Sequence, residues 1–543
     1  MQSVKLSITC RKPLEKKYGA KALAIIEGAI AKWIASDAAR GIRTIHLAVD
    51  DAKDMKPYNV APVTGTITAG KVKRAIDALV AGLTPDYIVL IGSGDVVPLF
   101  NVTNPTLSND GDTDPTVPTD NPYASSHTFD GKKRASYLVP DRVLGRIPDL
   151  PGSKDPAWLL NYLAVATAWK SRPPASYARD LLVCCDTWRK SGKACVEYLS
   201  RNAATMMTCP PSGDSSKRMQ GRRAALLQMI KCHGAPNDSW FYGQRGYDYP
   251  EVMRSTSLRK RTSKATVVGS MCCFGANIFD PLDPAAQHPG EPPISSVYLR
   301  QGAFGFLGST CTAWVGLDSM LCSDWIVAAF LKSVLGGASL GRATLEARQN
   351  LARWSQSQGD QVDSADEKTL IQFMLLGDPS IHPVKASEPG ALASAGMLGA
   401  APVASVALAR RQRRSTSHQI GAMLTAAIPE RRAVKEATVP KDVEGLARQL
   451  SAQAGAGFQF RFSSPQVERV TSRIPQPELM TAPAVALATA GRRTNATEVV
   501  GRKSLQYYWM ARRDEGPVPD VRIVSIQTDP QGNVLRTQVL ASS

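Results

Sequence analysis

Over the first 385 positions, short apolar runs alternate with longer stretches in which apolar residues recur every three to four positions. A run of four to seven apolar residues bounded by Gly, Pro or Asp marks a strand, and the three-to-four spacing marks an amphipathic helix. The pattern predicts strands over Thr44 to Val49, Tyr87 to Ile91, Val143 to Ile147, Leu181 to Cys185, Leu226 to Cys232, Thr266 to Cys272 and Ala303 to Leu307. It predicts helices over Ala20 to Ser36, Lys71 to Ala81, Ala157 to Lys170, Ser323 to Val334 and Leu340 to Trp354. Strands and helices in alternation bury a mainly parallel sheet between helix layers, so this part is expected to be α/β. The opening Met1 to Cys10 alternates apolar and polar residues like a half-buried strand and lacks the unbroken apolar core of a signal peptide.

The periodicity stops at about Glu388, where the chain turns to Ala, Gly, Ser and Pro and then reaches Arg410-Arg411-Gln412-Arg413-Arg414. Ala391 to Ala409 carries no charge, but its side chains are too small to favour a bilayer and Pro402 interrupts it, so a linker is expected and no membrane span. Beyond it Gly457 to Ser463, Leu505 to Arg512 and Val521 to Leu540 alternate like strands, with Asp529-Pro-Gln-Gly532 as a turn. Three units are expected: an α/β domain over 1–385, a linker over 386–417, and a small β-containing domain over 418–543.

The formal charge of +18 raises the question of a polyanionic partner. The segment 389–543 holds 20 Lys+Arg against 11 Asp+Glu, half of the excess, yet no single helix gathers it. A solvated basic surface is expected, with nucleic-acid binding as the alternative. The ten cysteines include the adjacent pairs Cys184-Cys185 and Cys272-Cys273. Strand neighbours point to opposite faces, a poor basis for a disulfide framework, and no Cys-x-x-Cys set has the spacing of a zinc site. Reduced thiols and a cytoplasmic location are expected. A phosphate-binding loop of the Gly-x-x-x-x-Gly-Lys-Ser/Thr type is absent.

Chemistry appears where two predicted strands end. Ala224 to Cys232 leads into His233-Gly234, and Ala265 to Met271 leads into Cys272-Cys273-Phe274-Gly275. Open α/β sheets bind ligands at carboxyl strand ends, and a thiol there needs a neighbouring base to become a thiolate at neutral pH. A strand plus His-Gly, followed some tens of residues later by a strand plus Cys-x-x-Gly, resembles the caspase-like peptidases. Tyr87-Ile-Val-Leu-Ile-Gly-Ser-Gly-Asp-Val-Val-Pro98, Pro118-Thr-Asp-Asn-Pro-Tyr-Ala124, Asp141-Arg-Val-Leu-Gly-Arg-Ile-Pro148, Gly302 to Thr310 and Leu375-Leu-Gly-Asp-Pro-Ser380 narrow the resemblance to the gingipain type.

That resemblance implies a cysteine endopeptidase in which Cys272 attacks the scissile carbonyl, His233 moves the proton, and the backbone N–H groups of Gly234 and Cys272 hold the oxyanion. Cys273, spaced Cys-x-Gly as in caspases, is the alternative nucleophile. It also implies a carboxylate for a basic P1 residue, Arg or Lys, which the Thr-Asp-x-x-Tyr stretch assigns to Asp120. No cofactor is required. Asp110, Asp112 and Asp114 alternate as in a calcium loop, although Pro115 stands where an EF-hand needs Gly. With Arg at P1, Arg411 and Arg414 would be self-processing sites on an exposed linker. The expected partners are a protein substrate and an activating or inhibitory protein acting through the C-terminal domain. The rival reading is a catalytically silent scaffold of the same fold.

Overall fold

A computed structural model of the chain describes residues 2–106, 112–259, 261–357, 362–386, 430–434, 439–455, 457–462, 465–473, 501–514 and 516–543. The linker, with Arg411 and Arg414, lies outside the described residues, as does Asp110.

The strands of two sheets, numbered along the chain, are β1 (Ser3–Thr9), β2 (Ile42–Ala48), β3 (Tyr87–Ile91), β4 (Leu144–Ile147), β5 (Asp180–Cys185), β6 (Met207–Cys209), β7 (Leu227–Lys231), β8 (Val267–Ser270), β9 (Gly305–Ser309), β10 (Trp314–Gly316), β11 (Phe373–Gly377), β12 (Glu430–Ala433), β13 (Gln466–Arg473), β14 (Gly501–Arg513), β15 (Asp520–Thr528) and β16 (Val534–Ser542). The first sheet has ten strands in the order β2-β1-β3-β4-β11-β9-β8-β7-β5-β6. Neighbours from β2 to β4 are parallel, as are those from β9 to β6, while β11 runs antiparallel to β9. Helices α1 (Arg11–Ala39), α2 (Ala69–Leu83), α3 (Ala157–Ala168), α4 (Ser323–Leu335) and α5 (Leu340–Ser357) flank it. In α1, Gly19 takes φ +77°, a left-handed break that only glycine adopts without strain. This is the mixed, mostly parallel α/β fold of the caspase-like kind, with a separate antiparallel sheet.

Strands covered by helices on both faces read as continuous apolar runs, and β3, β5 and β7 were legible for that reason. β1 departs from expectation. Its alternation suggested a solvated face, yet Lys5 is fully buried, with its ammonium between Asp37 (2.7 Å) and Asp378 (2.8 Å) and over the Trp33 ring. The polar face of β1 is an internal ionic network, not a wet surface. β11 carries the Leu-Leu-Gly motif but was not foreseen as a strand.

The second sheet is antiparallel, in the order β10-β16-β15-β14-β13-β12. The strands after the linker therefore do not stand alone. They extend the edge of β10, a strand of the first two-thirds, through Trp314↔Ser542, Val315↔Ala541 and Gly316↔Leu540. The Asp529 turn, closed by Gly532 N–H on the Asp529 carbonyl (3.1 Å), divides the expected run Val521 to Leu540 into β15 and β16. Gly457–Phe462 is not a strand. Among the described residues, no helix is long and apolar enough to cross a membrane.

Removing one partner of a buried ionic group leaves the others uncompensated, at a cost of about 3–5 kcal/mol. Lys5→Met strands two carboxylates in the core, so urea denaturation is expected to show a loss of that order. A loss under about 1 kcal/mol would mean that the network contributes little.

Candidate active site

The carboxyl ends of β3, β4, β8 and β9 meet at one edge of the first sheet, where Ser93, Arg146, Ala276 and Thr310 line a common cavity. His233 and Cys272 follow the adjacent parallel strands β7 and β8 at the same edge, with Met271 N–H donating to the Ile230 carbonyl (2.8 Å), and neither lines that cavity.

His233 is held on every side. Its backbone exchanges two hydrogen bonds with Tyr242 (2.8 and 3.0 Å), and its ring lies near Trp188 (4.5 Å between centroids) and Tyr249 (5.5 Å). Nε2 lies 3.1 Å from Gln244 Oε1. The Gln244 amide is oriented by donating its Nε2–H to Asp520 (2.5 Å), so its oxygen must face the ring. That oxygen only accepts, which assigns the proton to Nε2 and leaves Nδ1 as the basic nitrogen. Asp520, on β15, also accepts from Tyr249 (3.1 Å), Arg513 (3.0 Å) and Arg522 (3.1 Å).

The two cysteines diverge. Cys272 Sγ turns toward β7, 3.8 Å from the Ile230 carbonyl and beside the N–H of Cys232, the residue before His233. Cys273 Sγ turns the other way and accepts the Ala313 N–H at 3.0 Å. A turn carries the chain off β8, with Gly275 N–H on the Cys272 carbonyl (3.2 Å) and Phe274 at φ +57°, a strained conformation for a non-glycine residue. Gly234 is required here: a Cβ would lie 2.1 Å from the Cys273 carbonyl oxygen. Among the described residues, no hydrogen bond joins His233 to either thiol.

One expectation for the oxyanion donors is corrected. The Cys272 N–H is directed at Ser270 Oγ (3.3 Å), whereas the Cys273 N–H donates to the backbone carbonyl of Ser543 at 2.5 Å. Asp120 is also otherwise engaged. Both its oxygens bind the buried Arg146 guanidinium (2.6 and 2.8 Å), a bidentate pair that leaves no free carboxylate for an incoming basic side chain. Asp112 (2.5 Å) and Asp114 (2.8 Å) share the buried ammonium of Lys368, which stands where a calcium ion would. Among the described residues, no group of three or more His, Cys, Asp or Glu could hold a metal ion.

Gln244, Asp520, Trp188, Tyr249 and Ser543 were not foreseen as site residues. Gln244 follows His233 by eleven positions across a hairpin (240–242 with 251–254), and the Trp-Phe-Tyr-Gly run before it is its one local signal. Asp520 and Ser543 come from the second sheet, and nothing near them in sequence announces them.

Burial dominates the titration of all three groups. It pushes His233 down to about 4, opposed in part by Asp520, lifts Cys273 to about 12, and holds Cys272 well above the usual thiol range. The closed site therefore holds a neutral imidazole and neutral thiols.

An imidazole and a thiol at adjacent carboxyl strand ends of a mostly parallel sheet are groups that thiol chemistry can use. Residues 228–384, which include both, match the model of peptidase family C25, and this match supports a cysteine peptidase of the gingipain type. A comparison with curated proteins finds none that matches.

Because the folded pKa of His233 lies below its unfolded value, the unfolded chain takes up the proton first on acidification. The stability contributed by the neutral ring is fully present above about pH 6.5 and is lost as pH falls toward about 4. The midpoint of urea unfolding is expected to fall over that window, and to fall less steeply in His233→Gln. An unchanged slope would show that the ring is not held neutral. Asp120→Asn is expected to destabilise by about 3–5 kcal/mol by the same assay, since it leaves Arg146 buried and underpaired.

Proposed function

We propose that the chain is a cysteine endopeptidase in which His233 and Cys272 form the catalytic dyad. The observation that carries the reading is the orientation of the two thiols: Cys272 Sγ faces the strand that bears His233, and Cys273 Sγ faces away from it. The Cys-x-x-Gly spacing supports the same choice.

In the reaction, Nδ1 of His233 takes the Cys272 proton and the thiolate attacks the scissile carbonyl carbon, forming a C–S bond and an oxyanion. The Cys273 N–H is the backbone donor best placed to bind that oxygen, with Gly234 beside it. Collapse breaks the C–N bond as the imidazolium protonates the leaving amine, which leaves a thioester. Water, deprotonated by the same imidazole, then releases the acid and restores the thiol. Gln244 keeps Nε2–H engaged throughout, so Nδ1 stays the working nitrogen.

The engagement of Asp120 by Arg146 removes the support for a basic P1 residue. Self-processing at Arg411 or Arg414 rested on that preference and goes with it. Regulation does find support, because His233 and Cys272 are both buried and the Gln244 partner of His233 is held by Asp520 of the second sheet.

The test is hydrolysis of fluorogenic peptides differing at P1, by the purified protein and its Cys272→Ala, Cys273→Ala and His233→Ala variants, with a gel reporting self-cleavage. Loss of at least 100-fold in Cys272→Ala and His233→Ala, with activity within threefold in Cys273→Ala, is the expected result. Loss confined to Cys273→Ala would move the nucleophile by one residue, and no turnover even with an opened site would favour the scaffold reading.

A further inference from the structure

The amino ends of β5, β7 and β8 form the edge of the first sheet opposite His233 and Cys272, and the loops that feed them are basic. Loop 170–180 leads into β5, 217–226 into β7 and 259–266 into β8. Together these 29 positions hold eleven Lys+Arg and one carboxylate, Asp180, while the remainder of the chain holds 54 Lys+Arg against 46 Asp+Glu. More than half of the formal charge of +18 is therefore gathered in three loops. Hydrogen bonds join them into one surface. Arg179 donates to the Gly221 carbonyl, Arg222 to the Asp180 carbonyl (2.8 Å), Ser263 Oγ to the Ala224 carbonyl (2.8 Å) and Tyr177 to the Ala265 carbonyl (2.9 Å). Asp180 is buried and engaged by Arg222 (3.4 Å) and Arg201 (3.9 Å). Arg179, Lys217, Arg218, Arg259, Arg261 and Lys264 are exposed, and none of them has a carboxylate partner among the described residues.

We propose that this edge is a docking surface for double-stranded nucleic acid, held through its phosphates without regard to sequence. Neighbouring strands lie about 4.8 Å apart, so the edge from β6 to β8 is about 14 Å wide. A duplex carries one phosphate charge per about 1.7 Å of axis and presents about eight over that width. Four of the six unpaired cations are arginines, whose planar guanidinium matches a phosphate bidentately. Two other polyanions fit less well. The exposed large apolar side chains Ile25, Tyr247, Leu282, Val534 and Leu535 all lie outside these loops. The surface therefore lacks the apolar wedge of a bilayer-binding face and the aromatic platform on which unpaired bases stack. The strand β7 separates the two edges by about 16 Å, so a bound duplex leaves the His233 and Cys272 edge open.

The experiment follows the fluorescence anisotropy of a labelled duplex DNA of mixed sequence, about 20 base pairs long, with the full chain at about 50 and 200 mM NaCl. Affinity is expected to fall at least tenfold between the two, as the release of counterions from phosphates requires. At the lower salt, the fourfold variant Lys217→Gln, Arg218→Gln, Arg259→Gln, Arg261→Gln is expected to lose at least tenfold in affinity. The control Lys12→Gln, Lys16→Gln, Lys21→Gln, Lys32→Gln removes the same charge from exposed positions of α1 and is expected to stay within threefold. Arg218→Lys, Arg259→Lys, Arg261→Lys keeps the charge and is expected to stay within threefold as well, which separates lost charge from a disturbed fold. No binding at the lower salt, or equal losses in the two fourfold variants, overturns the proposal. So does tighter binding to the single strand of the same length, or to phosphatidylserine vesicles, than to the duplex. None of these readouts involves peptide hydrolysis, so the outcome stands apart from the endopeptidase reading.

Discussion

The buried carboxylate of Asp520 is the constraint on which the site's arrangement depends. It lies on β15, yet two of its donors, Gln244 and Tyr249, belong to the α/β part, and two, Arg513 and Arg522, to the second sheet. A carboxylate without water is tolerated only when donors surround it, and each side of this junction supplies a share. Through the Gln244 amide the same carboxylate fixes which nitrogen of His233 carries the proton. The tautomer of the imidazole is thus decided by a residue 287 positions along the chain, read from 233 to 520.

The second sheet is consequently part of the site's architecture. Its Asp520, Arg513 and Arg522 surround the Gln244 contact of His233, and burial is the largest cause of the low basicity of the ring, to which Arg522 and Arg513 add, and of the raised pKa of the Cys272 thiol. Neither group is poised for chemistry in this closed arrangement, in which a thiol and an imidazole lie on adjacent strands without a hydrogen bond between them. Catalytic contacts in unliganded sites are commonly long and tighten when substrate arrives.

The strands that lead to the candidate site were legible because each is a short, mainly apolar run followed by a residue with chemistry of its own: His233 after β7 and Cys272 after β8. Contacts across the sheet were not. Asp120 and Arg146 both stood in recognised motifs, but only folding brings a loop carboxylate against the middle of β4, and alone Asp120 read as a receptor for substrate. Asp112 and Asp114 misled in the same way, since a carboxylate pair fits an internal ammonium as well as a calcium ion, and Lys368 is 254 positions from the nearer of them. Lys5 showed the converse: alternation predicts a wet face only where no neighbouring helix and loop supply counter-charges.

The pairing of β16 with β10 also sets a threshold. A covalently tethered strand presents itself to its neighbour at an effective concentration on the order of millimolar. A free strand of equal intrinsic affinity would need to reach that concentration to displace it half the time, so the edge of β10 stays covered by its own chain.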